Sequence, residues 1–218
     1  MKNFENYLDI IEMTGIFKDI NETERHALLE CMNAGTINVK KGQIILLAGN
    51  KLEFFGIVLG GQFHIIRENY EGNRTLVAAI TPGIVFAEAL CCAGVTTSPV
   101  TVIAAEDSCF MKLYFSRFLE TCSSSCSFRV RLIENMTGIM AKKNLMMQNK
   151  MEILELKTIR EKVMRYLESF SVHVITVPFN REEMAEFLCV ERSALSHELI
   201  KMKKDGLIDY KKNKFLLL

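Results

Sequence analysis

No apolar run in the 218-residue sequence approaches the roughly 18 residues of a membrane-spanning helix; runs such as I-I-L-L-A-G and F-F-G-I-V-L-G-G are strand-sized. A secretory leader is missing too. The N-terminal M-K-N-F-E-N-Y-L-D-I-I-E carries acids where a signal peptide has a basic and then an apolar region. These absences predict a soluble, cytoplasmic protein with no membrane partner. Metal-site spacing is also lacking: the seven cysteines include no C-x-x-C and no cluster of three or four, which argues against zinc and iron–sulfur sites. They read as reduced, largely buried thiols, with a redox switch through Cys91, Cys92 or Cys109 as the other reading. There is no G-x-S-x-G, P-loop or H-E-x-x-H. The β-rich part offers His64 alone, so neither a cupin-type metal site nor a haem pocket has its ligands. No enzyme, cofactor or metal is expected.

What is present is an ordinary globular composition, 49% hydrophobic and 24% charged, enough for one large or two modest domains. The net charge of +1 is unevenly spread. From Lys157 onward there are 12 Lys+Arg against 9 Asp+Glu, and six lysines fall between positions 201 and 214. A basic C-terminal segment is a candidate phosphate-facing surface, although a solvated helix face has the same composition.

The chain reads in three regimes. After about thirty residues of helical pattern, residues 35–113 are short β-type runs punctuated by glycine, as in an antiparallel sandwich or barrel. Turns are expected at 69–73 and at Pro82-Gly83. Residues 127–156 contain no Gly or Pro except Gly138 and read as one long helix. Ile133, Thr137, Met140, Asn144, Met147, Met151 and Leu154 follow the 4-3 spacing of a coiled-coil seam with a register-fixing Asn. Leu132, Met136, Ile139, Met146 and Ile153 form a second apolar stripe. Two apolar faces predict one packed on the helix's own domain and one on a second copy; the other reading is a helix buried in its own domain.

The third regime opens with two capping boxes, Thr158…Glu161 and Asn180…Glu183, each marking a helix start. A β-like piece at 174–179 lies between them. The second box begins a short helix, broken at Cys189-Val190 and followed by V-E-R-S-A-L-S-H-E-L-I-K-M-K-K. In this last helix Leu195, Leu199 and Met202 share one stripe, with Ser193, His197 and Lys204 opposite and Arg192, Ser196 and Lys201 on the flanks. Gly206 supplies a C-cap, and the final residues read as a β-hairpin with a basic turn. Helix, tight turn, helix and β-wing make a winged helix-turn-helix, in which small Ala185 permits close helix crossing.

At this point the chain resembles the Crp/Fnr transcription regulators, and within them a group common in anaerobic Firmicutes. The carriers are V-x-K-G near Gly42, the glycines at 49, 61 and 83, F-A-E-A-L at 86–90, and N-R-E-E-M-A-E-F-L-C-V-E-R-S-A-L-S-H-E-L. The resemblance spans essentially the whole chain. It implies an α+β fold: an N-terminal antiparallel β-barrel (jelly-roll, cyclic-nucleotide-binding-like) with N-terminal helices over 1–126, a dimerisation helix and hinge over 127–157, and a winged helix-turn-helix DNA-binding domain over 158–218. It implies a homodimer on near-palindromic double-stranded DNA, with RNA polymerase as a further partner. By position, base edges are read by Arg192, Ser193, Ser196 and His197, and Lys201 lies on the same side. His197 and Ser193 stand where the family often has Arg and Glu, which changes the half-site expected. Asn180 and Arg181 are expected at phosphates. The seam residues Ile133, Met140, Asn144, Met147, Met151 and Leu154 are the expected dimer interface.

Cyclic-nucleotide binders of this family use F-G-E-L on the sugar and, about ten residues later, an Arg-Ser or Arg-Thr pair on the phosphate. Here Glu88 remains, the Gly is Ala87, and the Arg position falls on Ser98 before Pro99. A buried phosphate without its guanidinium loses a bidentate charge-assisted pair, so cyclic AMP is disfavoured. The expected effector pocket is Phe86, Glu88, Ala89, Ser98, Thr101, Met146 and Met147, with an unidentified small molecule, a redox signal or no effector all open. The competing class is a small-molecule or redox sensor whose winged helix contacts protein.

Overall fold

The computed structural model describes residues 5–68, 74–121 and 127–218. In chain order its labelled elements are α1 (Leu8–Met13), α2 (Glu22–Cys31), β1 (Gly35–Val39), β2 (Ile44–Leu46), β3 (Phe55–Gly60), β4 (Phe63–Glu68), β5 (Arg74–Ile80), β6 (Val85–Phe86), α3 (Glu88–Cys92), β7 (Thr101–Ala104), β8 (Ser108–Leu113), α4 (Phe115–Thr121), α5 (Ser127–Glu155), α6 (Ile159–Glu168), β9 (Val174–Thr176), α7 (Arg181–Leu188), α8 (Arg192–Lys204), β10 (Ile208–Lys211) and β11 (Lys214–Leu217). The expected turn at 69–73 and the cysteines at 122 and 126 lie outside the described residues. Among the described residues no helix is long and apolar enough to cross a membrane.

The chain divides into two compact units, residues 1–67 with 80–143 and residues 68–79 with 144–218. In the first, strands β1, β8, β3 and β6 form one antiparallel sheet and β2, β7 and β4 belong to another. The strands therefore make a jelly-roll of two sheets rather than one closed barrel. One face of the first of these sheets carries Phe55, Ile57 and Met111, all fully buried. Helices α1 and α2 seal the same core, and α2 starts on a capping box between Asn21 and Glu24. From α5, Leu132 and Met136 enter this core, while Asn135 Nδ2 donates to the carbonyls of Ile16 (3.1 Å) and Lys18 (2.8 Å).

Four rings, Phe54, Phe63, Phe86 and Phe110, fill the interior, with centroids 5.8–6.3 Å apart. Gly56 makes room for them: a Cβ there would lie 2.2 Å from the tip of Phe86. Gly61 combines φ +73° with a would-be Cβ only 2.7 Å from the Asp107 carbonyl, so turn geometry and space both require glycine.

In the second unit, α6, α7 and α8 bury Val163, Leu167, Met184, Leu188, Leu195, Leu199 and Met202 completely. The sheet β10-β11-β9 closes this core with Ile208, Phe215 and Ile175. Ile153 of α5 is also buried.

The expected seam of α5 is the face left open. Ile133, Met147 and Met151 are 44, 47 and 58% exposed, Asn144 is exposed, and Met140 and Leu154 are half-buried. This face of α5 is thus largely uncovered by the chain itself. Of the second stripe, Leu132, Met136 and Ile153 are buried and Ile139 is half-buried, but Met146 is 67% exposed. Helical periodicity specifies a face, not where along the helix its cover ends.

Replacing Gly56 by Ala should destabilise the protein by about 1–3 kcal/mol, because the methyl must displace a packed ring. Denaturant unfolding should show the loss, and Phe86→Leu in the same background should recover part of it.

Candidate functional site

The helix-turn-helix is built from its caps. Asn180 Oδ1 accepts from the backbone N–H of Glu182 (2.9 Å) and Glu183 (3.0 Å), and Glu183 Oε2 accepts in return from Asn180 N (2.7 Å). α7 ends at Cys189 in the left-handed region (φ 52°), after which the Val190 N–H bonds the Ala185 carbonyl at 3.0 Å. The break expected at Cys189-Val190 is present, and Ala185 is buried at the crossing. α8 ends on Gly206 with φ +73°.

The outward face of α8 presents Arg192, Ser193, His197, Ile200 and Lys201, all exposed. Ser196 is half-buried, and its Oγ donates to the Arg192 carbonyl (3.0 Å). Asn180 is committed by its carbonyl oxygen to the helix cap. Arg181, expected at a phosphate, is turned onto the wing. Its Nη2 donates to the Lys212 carbonyl (3.0 Å), and the guanidinium stacks 4.7 Å from the Tyr210 ring centre and 5.0 Å from that of Phe215. The wing tip carries Lys211, Lys212 and Lys214, with Lys212 at φ 56°.

Sequence reading missed Arg160. From α6 its Nε reaches Glu198 (2.6 Å) and its Nη2 reaches Asp205 (2.7 Å), so one guanidinium pins α8 along its inner side and at its C-terminus. Lys203 pairs with Asp209 and ties α8 to the wing. The Arg in the Thr158 capping box was the one available signal, and its partners are 38 or more residues distant.

The expected effector pocket is assembled only in part. Phe86 and Glu88 are buried and Ala89 is exposed. Ala87 holds a left-handed conformation (φ 62°, ψ 3°), the bend a glycine would take freely. Ser98 is buried, but its hydroxyl is engaged in its own turn: Oγ donates to the Val100 carbonyl at 2.7 Å. Thr101 Oγ1 accepts from Ala48 N (3.1 Å). Met146 and Met147 belong to the second unit and are exposed. Sequence reading also missed Lys143 of α5, whose Nζ lies 2.6 Å from Glu88 Oε1 and donates to the Val85 carbonyl as well. Among the described residues no group of three or more His, Cys, Asp or Glu side chains is arranged to hold a metal.

Two thiols of α3, half-buried Cys91 and the more exposed Cys92, are biased towards their protonated form. Burial, then the charges of Cys92 and Glu88, push Cys91 up to about 11, and burial followed by Glu88 raises Cys92. A low-pKa thiolate, the usual form of a redox-sensing cysteine, is absent from these two positions.

The geometry agrees with two family models. The cyclic nucleotide-binding domain matches residues 36–125, and the Crp-like helix-turn-helix domain matches residues 152–218. No curated protein matches the chain. Solved structures share the fold at low identity. FixK2 from Bradyrhizobium japonicum is 17% identical (TM-score 0.68; 84% of this chain and 92% of that one). The c-di-GMP-responsive global regulator CLP from Xanthomonas campestris is 16% identical (TM-score 0.71; 88% and 98%). A CooA variant from Carboxydothermus hydrogenoformans is 17% identical (TM-score 0.69; 97% and 90%).

Cys91 should resist iodoacetamide at pH 7.5, carrying roughly 100-fold less thiolate than an unshifted thiol. Peptide mass spectrometry should find its labelling still rising towards pH 11, where that of free cysteine in the same solution has levelled off.

Proposed function

The chain belongs to the Crp/Fnr family of DNA-binding transcription regulators, and from that premise we propose that it acts as a homodimer on a near-palindromic duplex, with one α8 in each of two successive major grooves. The observation that carries this reading is the division of α8. Leu195, Leu199 and Met202 are fully buried, while Arg192, Ser193, His197 and Lys201 stand exposed on the outward face. Two copies related by a two-fold axis would set their half-sites about 34 Å apart. The open seam of Ile133, Met140, Asn144, Met147, Met151 and Leu154 supports the pairing, and a polar Asn144 within it would fix the register.

In this reading Arg192 offers a bidentate fork to a guanine, and His197 makes a single hydrogen bond in place of a fork. Ser193 and Ser196 make shorter contacts, the second with a hydroxyl shared with its own helix. Lys201 and the wing lysines meet phosphates. The Asn180 amide N–H₂, left over from capping, is suited to the same task, while Arg181 positions the wing. RNA polymerase is the partner through which the bound protein would act, in the cytoplasm and without catalysis of its own.

Switching would act at the junction near Leu156-Lys157, which the Glu152–Arg165 pair (2.9 Å) spans. That pair is exposed on both sides and contributes little to stability, so it would not by itself hold the junction in one arrangement. An effector shifts them only as far as its affinity for the two differs.

Selection of bound duplexes from a random pool by reduced protein should enrich a two-fold symmetric motif. Arg192→Ala should then weaken binding by about 1–3 kcal/mol and relax one base position. Lys201→Ala should weaken all sequences alike and reduce the slope of log K against log salt by about 1. Affinity insensitive to salt would instead favour a protein partner for the winged helix.

A further inference from the structure

Glu88 is a buried carboxylate, 2% exposed, at the start of α3. A lone carboxylate there would be strongly unfavourable, and Lys143 of α5, 55 residues away in sequence, is the cation that meets it, at 2.6 Å. The same ammonium caps the Val85 carbonyl, so it bridges β6 and α3 from the helix side. The two hydroxyl side chains that the resemblance places in the same pocket have partners within the chain as well. The Ser98 hydroxyl is turned to Val100, and that of Thr101 accepts from Ala48. The apolar wall is filled by Phe86, seated in the space that Gly56 leaves. The carboxylate that the family resemblance assigns to a ligand's hydroxyl therefore already has a donor, supplied by the long helix.

We propose that Lys143 is a built-in ligand of the sensory domain: its ammonium occupies Glu88, fastens α5 to that domain, and lets the protein bind DNA without a small-molecule effector. The inference rests on the reading of the chain as a DNA-binding regulator and adds what fills its sensory site. A molecule competing for Glu88 would have to be a cation or a hydroxyl donor. An anion would take Lys143 and leave Glu88 buried beside a second negative charge.

The test is chemical rescue of the full-length protein. Lys143→Ala removes three methylenes and the ammonium, a gap the size of propylammonium. DNA binding by this variant, read by fluorescence anisotropy on the selected duplex, should fall at least tenfold. Millimolar propylammonium chloride should restore it, and sodium chloride at equal ionic strength should not. Glu88→Gln should lose a similar factor and gain nothing from the amine. Wild-type affinity in Lys143→Ala, or a loss that propylammonium leaves untouched, overturns the proposal. Should Lys143→Ala not fold, Lys143→Met keeps the packed stem: tenfold weaker binding supports the inference and wild-type binding sinks it. If the wild type itself selects no DNA, the regulator reading fails separately. Thermal melting then decides the occupant, since propylammonium must raise the melting temperature of Lys143→Ala and not that of the wild type.

Discussion

Leu132 and Met136 near one end of α5 and Ile153 near the other are almost wholly removed from water, yet they belong to different compact units. A single 29-residue helix thus contributes buried side chains to both units. Each buried aliphatic or methionine side chain contributes about 1.5–3 kcal/mol of burial. A helix already used on one side by its own chain leaves its opposite, apolar side open, which is the face that the proposed pairing would cover.

The winged unit shows how charge is deployed on a small scaffold. Arg160 and Lys203 are spent on holding α8 from behind and on joining it to the wing, and Arg181 is spent on the wing itself. The cations left outward, Arg192, Lys201, Lys204 and the wing lysines, are those without described acidic partners. A modest net charge is thus divided between internal fastening and an outward basic face, which a whole-chain charge of +1 conceals.

Much of this was legible in sequence because local rules wrote it. Three of the caps, at Asn180, Thr158 and Gly206, follow from residue type and spacing, and the α8 stripe follows from the 3.6-residue period. What was not legible shares one cause. Met146 fits the inner stripe by period but lies past the segment that the first unit covers. Arg181 looked like a phosphate ligand because its position near a helix start is local information, whereas the aromatic wing that captures it begins nearly thirty residues later. Lys143 and Glu88 are equally remote, and no periodicity links a carboxylate on one short helix to an ammonium on a long one. Ala87 is the converse case: the glycine is gone while the bend persists, so the motif appears more altered in letters than in backbone.

Because Arg181 fastens the wing to α7, Arg160 fastens α8 to α6, and Ile208 and Phe215 of the hairpin are buried beside the buried stripe of α8, the offset between the recognition helix and the basic hairpin is set before any duplex arrives. Docking then freezes few new degrees of freedom in the hairpin, and the entropy of ordering a loop is not subtracted from affinity. The corollary is mechanical intolerance. A duplex whose local groove width differs from that fixed offset must itself deform, so discrimination among sites extends to base pairs that no side chain touches.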